Sequence, residues 1–447
     1  MEAAVDEHLS LNTPIVLTPR RAGVVDHQDN TVEVLVRVQA PDAPPGHAAQ
    51  RPPQAIALVV DRSGSMSGQP LAEAKRCAEY VLSRLRPTDR LSLAQFDHRV
   101  QRLWPAQPVG DGTAQRAAIA AITAGGNTNL HGGWLDGAES LGDVAGEGLK
   151  RVILLSDGQA NEGLTDPAEI AAQCALWAAR GITTSTYGLG RHFNEELMIA
   201  MARAGGGSSY YGDTAEDLHE PFERELELLG NLCLRELRMT VQAPDGVEVQ
   251  VLNDLPHTEG RWHLPDLAWG AEAWAVLRLK VPATSLPPLG SMATLLRVTV
   301  TGRTLAGEPV QLERAGLSVP VLSAGNHAAL ADDERVTRRL IELAAADALS
   351  RIRAAAARGN WAAVDRMLEE ASRQFAGNEW VAAILAAMRS IADSREREQA
   401  MKEMMYSSAR LRDRLAARDE TMQFSIAADA DAPAFLRRKT RQGKREE

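Results

Sequence analysis

The sequence predicts an α/β domain with a doubly wound, mostly parallel sheet, together with a β-sandwich domain and a C-terminal helical region. Three observations support this fold class. Short continuous apolar runs alternate with amphipathic helices over 51–232, apolar and polar residues alternate on both sides of that segment, and 328–418 contains no proline. Continuous apolar strands separated by helices indicate a sheet covered on both faces. Strict alternation indicates strands with one buried face.

Length and charge limit the function classes. The chain has 447 residues, about three times the length expected of one domain, so we expect two or three folded units. Hydrophobic residues make up 45% and charged residues 24%, which is typical of globular proteins. The 49 Lys and Arg against 59 Asp and Glu give a net charge of −10. This charge argues against a nucleic-acid partner, because proteins that bind nucleic acids need positive charge to neutralise phosphates.

The first β segment lies within 13–40. Between Thr31 and Gln39 valine occupies every second position, the period of a half-buried antiparallel strand. The proline-rich stretch 41–54 forbids a helix or a central strand, so we assign it as a linker. We assign 1–50 as an N-terminal β segment plus linker, and we expect its strands to pair with the later β region.

The α/β domain is predicted over 51–232. Its buried strands are predicted at 55–60, 91–96, 151–155 and 183–189. Its helices are predicted at 70–85, 112–123, 129–142, 167–180, 194–204 and 214–230. Because β segments flank it on both sides, the domain is predicted to be an insertion into a β-sandwich.

The rest of the chain divides into three predicted regions. Alternating strands separated by Pro, Gly and Asp turns over 233–325 predict the β-sandwich. The region 326–419 reads as three or four helices, with ends at Gly359 and Gly377. The tail 420–447 ends in a basic run and is predicted to be disordered.

Cysteine usage and the chain start favour a cytoplasmic location. Cys77, Cys174 and Cys233 lie far apart and form no Cys-x-x-Cys pair, which favours a reducing compartment. The N-terminus carries acidic residues where a signal peptide needs a basic region. No run reaches the roughly 18 apolar residues that a membrane span requires.

Two carboxylates and three hydroxyls follow the ends of predicted strands. Loops at the carboxyl ends of parallel strands form the crevice where ligands bind in open sheets. Three of the residues, at positions 61, 63 and 65, follow strand 55–60, and the one at position 157 follows strand 151–155. The threonine at position 128 lies in a glycine-rich loop before helix 129–142. The five residues are Asp61, Ser63, Ser65, Thr128 and Asp157.

This donor set consists of hard oxygen ligands, which favour Mg²⁺, Mn²⁺ or Ca²⁺ over zinc or copper. Mg²⁺ requires octahedral oxygen coordination. Hydroxyl ligands and water-bridged carboxylates would leave one position for an outside ligand, and a carboxylate from a partner protein would fill it best.

The motifs that carry these residues resemble the metal-ion-dependent adhesion site of von Willebrand factor A domains. They read Asp61-x-Ser63-x-Ser65, Gly-Gly-x-Thr-Asn-Leu around Thr128, and Leu-Leu-Ser-Asp-Gly around Asp157. The resemblance covers 51–232. The flanking β segments look like bacterial proteins, similar to inter-alpha-trypsin-inhibitor heavy chains, that insert this domain in a sandwich. The resemblance implies that all five residues are metal ligands. The alternative is a polar turn that caps helix 70–85.

From this resemblance we expect a cytoplasmic, bacterial scaffold or assembly protein that captures an acidic residue of a partner through the metal. Loops around Met66, Asn129 and Arg191 would supply specificity. One alternative is a subunit that acts with a chaperone-like ATPase partner, with the helices of 328–418 as the docking arm. A metal-assisted hydrolase ranks third.

Catalytic motifs are absent from the sequence. It contains no Gly-x-Ser-x-Gly, no phosphate-binding Gly-x-x-x-x-Gly-Lys-Ser/Thr and no His-Glu-x-x-His. Hydrolysis needs a general base, and the motifs supply none beyond the metal residues. His131 is expected to be a surface or capping residue. We therefore expect a binding protein and not an enzyme.

The tail carries a second candidate binding element. Pro433, Phe435, Leu436, Arg437 and Arg438 resemble the C-terminal docking peptide of the bacterial tubulin-like division protein. Exposed apolar residues beside a basic cluster suit a peptide that binds a partner groove. The alternative is a solvated basic tail.

Overall fold

The structure is a computed structural model that describes residues 13–45, 53–144, 148–157, 159–189, 194–212, 214–393, 397–412 and 415–417. The described residues form two compact units. The β unit comprises the described parts of 1–47, 231–343 and 413–422. The α/β unit comprises those of 48–230 and 344–412.

The described part of the chain forms strands that are numbered here in chain order. They are β1 (Ile15–Pro19), β2 (Val24–Val25), β3 (Asn30–Gln39), β4 (Ala55–Asp61), β5 (Arg90–Phe96), β6 (Val100–Pro108), β7 (Lys150–Ser156), β8 (Ile182–Leu189), β9 (Gly206–Gly212), β10 (Leu232–Gln242), β11 (Glu248–Val251), β12 (His257–Thr258), β13 (Arg261–His263), β14 (Leu267–Ala268), β15 (Ala271–Val281), β16 (Met292–Thr304), β17 (Pro309–Gln311), β18 (Ala315–Leu322) and β19 (Leu415–Ala417).

The α-helices are numbered in the same way. They are α1 (Gln69–Arg84), α2 (Thr113–Ala120), α3 (Leu130–Gly142), α4 (Pro167–Ala178), α5 (Glu195–Ala204), α6 (Ala215–Asn231), α7 (Ala324–Ala328), α8 (Glu334–Ala357), α9 (Trp361–Gln374), α10 (Glu379–Asp393) and α11 (Arg397–Leu411). Single turns of 3₁₀ helix lie at Gly64–Met66 and Ala283–Ser285.

The α/β unit contains a six-stranded sheet in the order β6-β5-β4-β7-β8-β9. Only β6 runs antiparallel to its neighbour, and all other pairs are parallel. The central strand β4 is buried along its whole length, as its continuous apolar sequence predicts. The predicted fold class is confirmed. The sequence reading missed β6 and β9, the two edge strands.

Short polar side chains fix where the helices behind this sheet begin. Asn129, Asp166 and Asn194 each accept a hydrogen bond from a backbone amide in the first turn of α3, α4 and α5. These caps satisfy amides that a helix leaves without an intrahelical partner.

The β unit is a sandwich of two sheets. One has the order β1-β3-β15-β11, with β19 on β15, and the other has the order β12-β13-β10-β16-β18-β2. Strand β3 pairs with β15 along its whole length, so the N-terminal segment shares a sheet with strands that follow the α/β segment. The alternating valines of β3 are buried in the core between the sheets, as their period predicts.

The C-terminal helices α9–α11 belong to the α/β unit. Helix α8 ends just before Gly359, whose φ of +73° favours glycine. Helix α11 packs against edge strand β9, where the Glu403 carboxylate accepts a hydrogen bond from the Tyr211 hydroxyl and the Tyr406 ring lies 4.7 Å from the Tyr211 ring. Among the described helices, none combines the length and apolarity of a membrane span. The tail 420–447 lies outside the described residues.

Candidate metal centre

Asp61 is the last residue of β4 and is fully buried. Its two carboxylate oxygens accept different donors. The Ser63 amide donates to Oδ1 at 2.8 Å, and the Ser156 hydroxyl donates to Oδ2 at 2.6 Å. These bonds hold the carboxylate in one orientation at the carboxyl end of the central strand.

The electrostatics at Asp61 favour a cation. Burial raises the pKa of Asp61 from its ordinary 3.8 to about 6. The hydrogen bond from Ser156 opposes this rise in pKa, and the nearby charge of Asp157 adds to it. A divalent ion beside the two carboxylates would stabilise their charged forms. The residues present therefore fit a metal site.

The two serines follow Asp61 in a tight turn. The Ser63 and Ser65 hydroxyl oxygens lie 3.1 Å apart. Ser63 is buried and Ser65 is exposed, so the pair leads from Asp61 to the protein surface. Met66 ends the same 3₁₀ turn and is fully buried. The Met66 side chain therefore packs inside the protein, and the contribution of the loop around it to partner specificity remains a prediction.

The loop of Thr128 is joined to both other motifs. The Thr128 amide donates to the Asn161 side-chain oxygen at 2.8 Å, and the Thr128 carbonyl accepts from the Asn161 amide at 3.1 Å. Asn161 lies in the loop that follows Asp157. The Gly64 amide donates to the Gly126 carbonyl at 2.9 Å, which links this loop to the serine turn. The structure thus brings the three motifs together at one edge of the sheet.

The remaining predicted residues are only partly described. Asn129 is half-buried, and its side chain caps α3 by accepting from the Gly132 amide at 3.0 Å. Its role in partner binding remains a prediction. Arg191, Phe435 and Leu436 lie outside the described residues.

Sequence reasoning missed Ser156 and Asn161, which orient Asp61 and Thr128. Ser156 is fully buried at the end of β7, directly after the apolar residues 152–155. A polar residue at such a position, directly before Asp157, is a signal that could have identified it, since buried polar groups need hydrogen-bond partners.

The chemistry of the site is that of oxygen ligands. Within the described part of the chain, no three His, Cys, Asp or Glu side chains cluster in a way that could hold a metal ion. The candidate site instead combines two carboxylates with three hydroxyls. This composition fits Mg²⁺ or Mn²⁺ better than a metal that prefers imidazole or thiolate.

Comparisons with known proteins identify relatives of the α/β segment. Residues 55–224 match the family model of the von Willebrand factor type A domain. An uncharacterized Synechocystis protein, sll0103, is 31% identical over 194 residues, which cover 43% of this chain and 46% of that protein. Inter-alpha-trypsin inhibitor heavy chain H1 of Sus scrofa is 35% identical over 125 residues, which cover 26% of this chain and 14% of that protein. The matches thus span less than half the length of these relatives.

The fold also resembles a solved structure over most of the chain. A von Willebrand factor type A protein from Catenulispora acidiphila superposes with a TM-score of 0.66 and 15% identity, covering 85% of this chain and 90% of that one. At this identity the likeness shows a shared fold.

Proposed function

We propose that the von Willebrand factor type A domain, which residues 55–224 form, binds a divalent metal ion and through it an acidic side chain of a partner protein. The observation that supports this proposal most strongly is the gathering of Asp61, the serine turn, Thr128 and Asp157 at one sheet edge. Asp61 and Asp157 are close enough for the charge of one to raise the pKa of the other.

The metal in this proposal is Mg²⁺, with Mn²⁺ or Ca²⁺ as alternatives. The residues that would hold it are Asp61, Ser63, Ser65, Thr128 and Asp157. When bound, the ion would supply positive charge that attracts an external carboxylate. Asp61 would provide negative charge at the base of the site, and the Ser63 amide and Ser156 hydroxyl keep its carboxylate in place. Ser65 is the exposed hydroxyl that the partner would approach.

We favour binding over catalysis. A hydrolase would need a general base within hydrogen-bond reach of the attacking water. His131, the histidine nearest to Thr128 in the sequence, is hydrogen-bonded through Nε2 to the Gln173 side chain at 2.9 Å. The side-chain oxygens of the site fit ligation of an ion that also binds a carboxylate of the partner.

We also propose a reducing, cytoplasmic environment. Its support is that Cys77, Cys174 and Cys233 are all free and buried. Burial raises the pKa of Cys174 to about 12, which keeps the thiol protonated and unreactive.

Titration calorimetry with Mg²⁺ and Mn²⁺ on the full chain tests the metal site. We expect saturable binding that Asp157→Ala abolishes and that Asp136→Ala, a carboxylate change on α3, leaves intact. Failure of the unsubstituted chain to bind either ion, or binding that Asp157→Ala does not change, would contradict the proposal.

Affinity capture tests the partner. The tagged chain would be incubated with lysate of its native host in Mg²⁺ or in EDTA, with Asp61→Ala as the control. We expect partners that are retained only with Mg²⁺ and intact Asp61. Capture that ignores both metal and Asp61 would contradict metal-bridged binding and place partner recognition elsewhere in the chain.

A further inference from the structure

A partly buried ion pair lies directly beside the candidate metal centre. The Arg62 Nη2 atom lies 2.7 Å from the Asp97 Oδ2 atom. Arg62 stands between two of the proposed metal residues in the sequence, and Asp97 directly follows β5. The Asp97 side chain is 3% exposed and that of Arg62 is 20% exposed. Water therefore screens this pair less than it screens pairs on the surface.

Arg62 also reaches the loop that carries Thr128. Its Nη1 atom donates to the Thr123 carbonyl at 3.0 Å, and its own carbonyl accepts from the Gly125 amide at 2.8 Å. Side chain and backbone of Arg62 thus both hold the start of this loop.

Asp97 holds the end of the same loop. Its carbonyl accepts from the Asn129 amide at 2.8 Å, one residue after Thr128. Gly126 has a φ of +77°, and a Cβ added there would lie 2.3 Å from His98 Nδ1 and 2.9 Å from Asp97 Oδ2. Only glycine lets the loop lie this close to these two side chains. Contacts to the Arg62–Asp97 pair therefore enclose Thr128 on both sides.

We propose that the Arg62–Asp97 ion pair is a positioning element that holds the Thr128 loop against the Asp61 loop, so that the Thr128 hydroxyl is preset for the metal. This inference rests on the proposed metal binding. Neither residue is a proposed ligand, so both act through Thr128. Groups that orient metal ligands typically change affinity by about 10- to 100-fold when they are removed.

Two measurements on the full chain test the pair. The first is the dissociation constant for Mn²⁺ in Arg62→Gln and Asp97→Asn. The second is amide hydrogen exchange across 123–129 in EDTA, which needs no bound ion. We expect each variant to weaken Mn²⁺ binding by about 10-fold or more and to speed exchange in this loop.

The matched control is Asp136→Asn, which removes another ion pair of the α/β unit, between Arg102 and Asp136. It should leave both readouts unchanged. Arg62→Lys keeps the charge and should recover part of the affinity. Unchanged exchange and unchanged Mn²⁺ affinity in Arg62→Gln would overturn the inference. If the unsubstituted chain binds no Mn²⁺, the proposed function fails, and the exchange measurement still decides whether the pair orders the loop.

Discussion

Two groups of buried carboxylates in the α/β unit differ in how their charge is balanced. Glu225 on α6 is fully buried and forms an ion pair with Arg151 of β7. It also accepts a hydrogen bond from the Ser185 hydroxyl at 2.6 Å. Asp61 is equally buried, but the contacts that the structure describes for it come from hydroxyl and amide donors, and its charged neighbour is Asp157.

The difference separates a structural cluster from a binding site. A buried charge is costly unless an opposite charge or a metal balances it. Arg151 balances Glu225 within the chain. The Asp61 and Asp157 pair instead concentrates negative charge at a sheet edge, where an added cation would stabilise the folded chain. Removing a carboxylate should therefore have opposite effects on stability in the two groups.

The largest expected effect on stability comes from Glu225, whose charge Arg151 balances. Replacing Glu225 with Gln removes the negative charge that pairs with the buried Arg151. We expect the free energy of unfolding to fall by about 3–5 kcal/mol, the usual cost of removing one partner of a buried ion pair. Chemical denaturation of the metal-free chain, followed by circular dichroism, measures this loss.

The matched control for Glu225 removes both charges. Arg151→Met combined with Glu225→Leu should recover most of the lost stability, because well-packed apolar residues often replace buried ion pairs at little cost. A single Glu225→Gln variant as stable as the unsubstituted chain would show that the pair does not balance a buried charge.

Removing the Asp61 carboxylate should instead raise the free energy of unfolding of the metal-free chain. The pH dependence of stability reveals this effect. The folded-state pKa of Asp61 is about 6 and its ordinary value is 3.8. Because folding favours the protonated form, the stability linked to this group is fully present below pH 3.8 and is lost as the pH rises through 6. The total loss corresponds to about 3 kcal/mol.

Asp61→Asn removes this pH dependence from the metal-free chain. The free energy of unfolding of the variant minus that of the unsubstituted chain should grow by about 3 kcal/mol between about pH 4 and about pH 7. Denaturation across that range in EDTA measures the difference. A difference that stays flat with pH would mean that Asp61 does not carry an uncompensated buried charge.

A bound metal ion should balance the negative charge of Asp61 and Asp157 and so stabilise the folded chain. At a free Mn²⁺ concentration of about 100 times its dissociation constant, we expect the free energy of unfolding to rise by about 2.7 kcal/mol. Glu225→Gln should keep this increment because its partner Arg151 lies near the start of β7, whereas Asp157 follows the end of that strand. Asp157→Ala should lose the increment. Equal increments in the two variants would remove the distinction between the clusters.

The proposed ligands come from the sequence because each one lies in a recognisable local pattern. Asp61 and Asp157 follow continuous apolar strands, and parallel strands must end at one edge of the sheet. Thr128 lies in a glycine-rich loop just before a helix. These patterns are local, so they can be read without knowing which segments meet in space.

The features that the sequence did not reveal depend on contacts between distant segments or on exposed edges. The bond from Ser156 to Asp61 and the Arg62–Asp97 pair form only when neighbouring strands assemble. Strand β6 carries prolines and exposed polar residues, and β9 begins Gly-Gly-Ser-Ser, which reads as a loop. Edge strands tolerate such residues because one side of the strand makes no ladder.

The smallest expected effect comes from the ion pair of Arg102 with Asp136. Like Glu225, Asp136 is balanced by an arginine, but this pair is partly exposed to solvent. Nη2 of Arg102 lies 2.9 Å from Oδ1 of Asp136, and the two side chains are 32% and 22% exposed. Water already solvates both charges, so Asp136→Asn should lower the free energy of unfolding by only about 0.5 kcal/mol. Denaturation at low and at high salt measures this loss, which should shrink as salt screens the pair. A loss as large as that of Glu225→Gln would mean that burial does not distinguish these carboxylates, and the contrast between Glu225 and Asp61 would then need another cause.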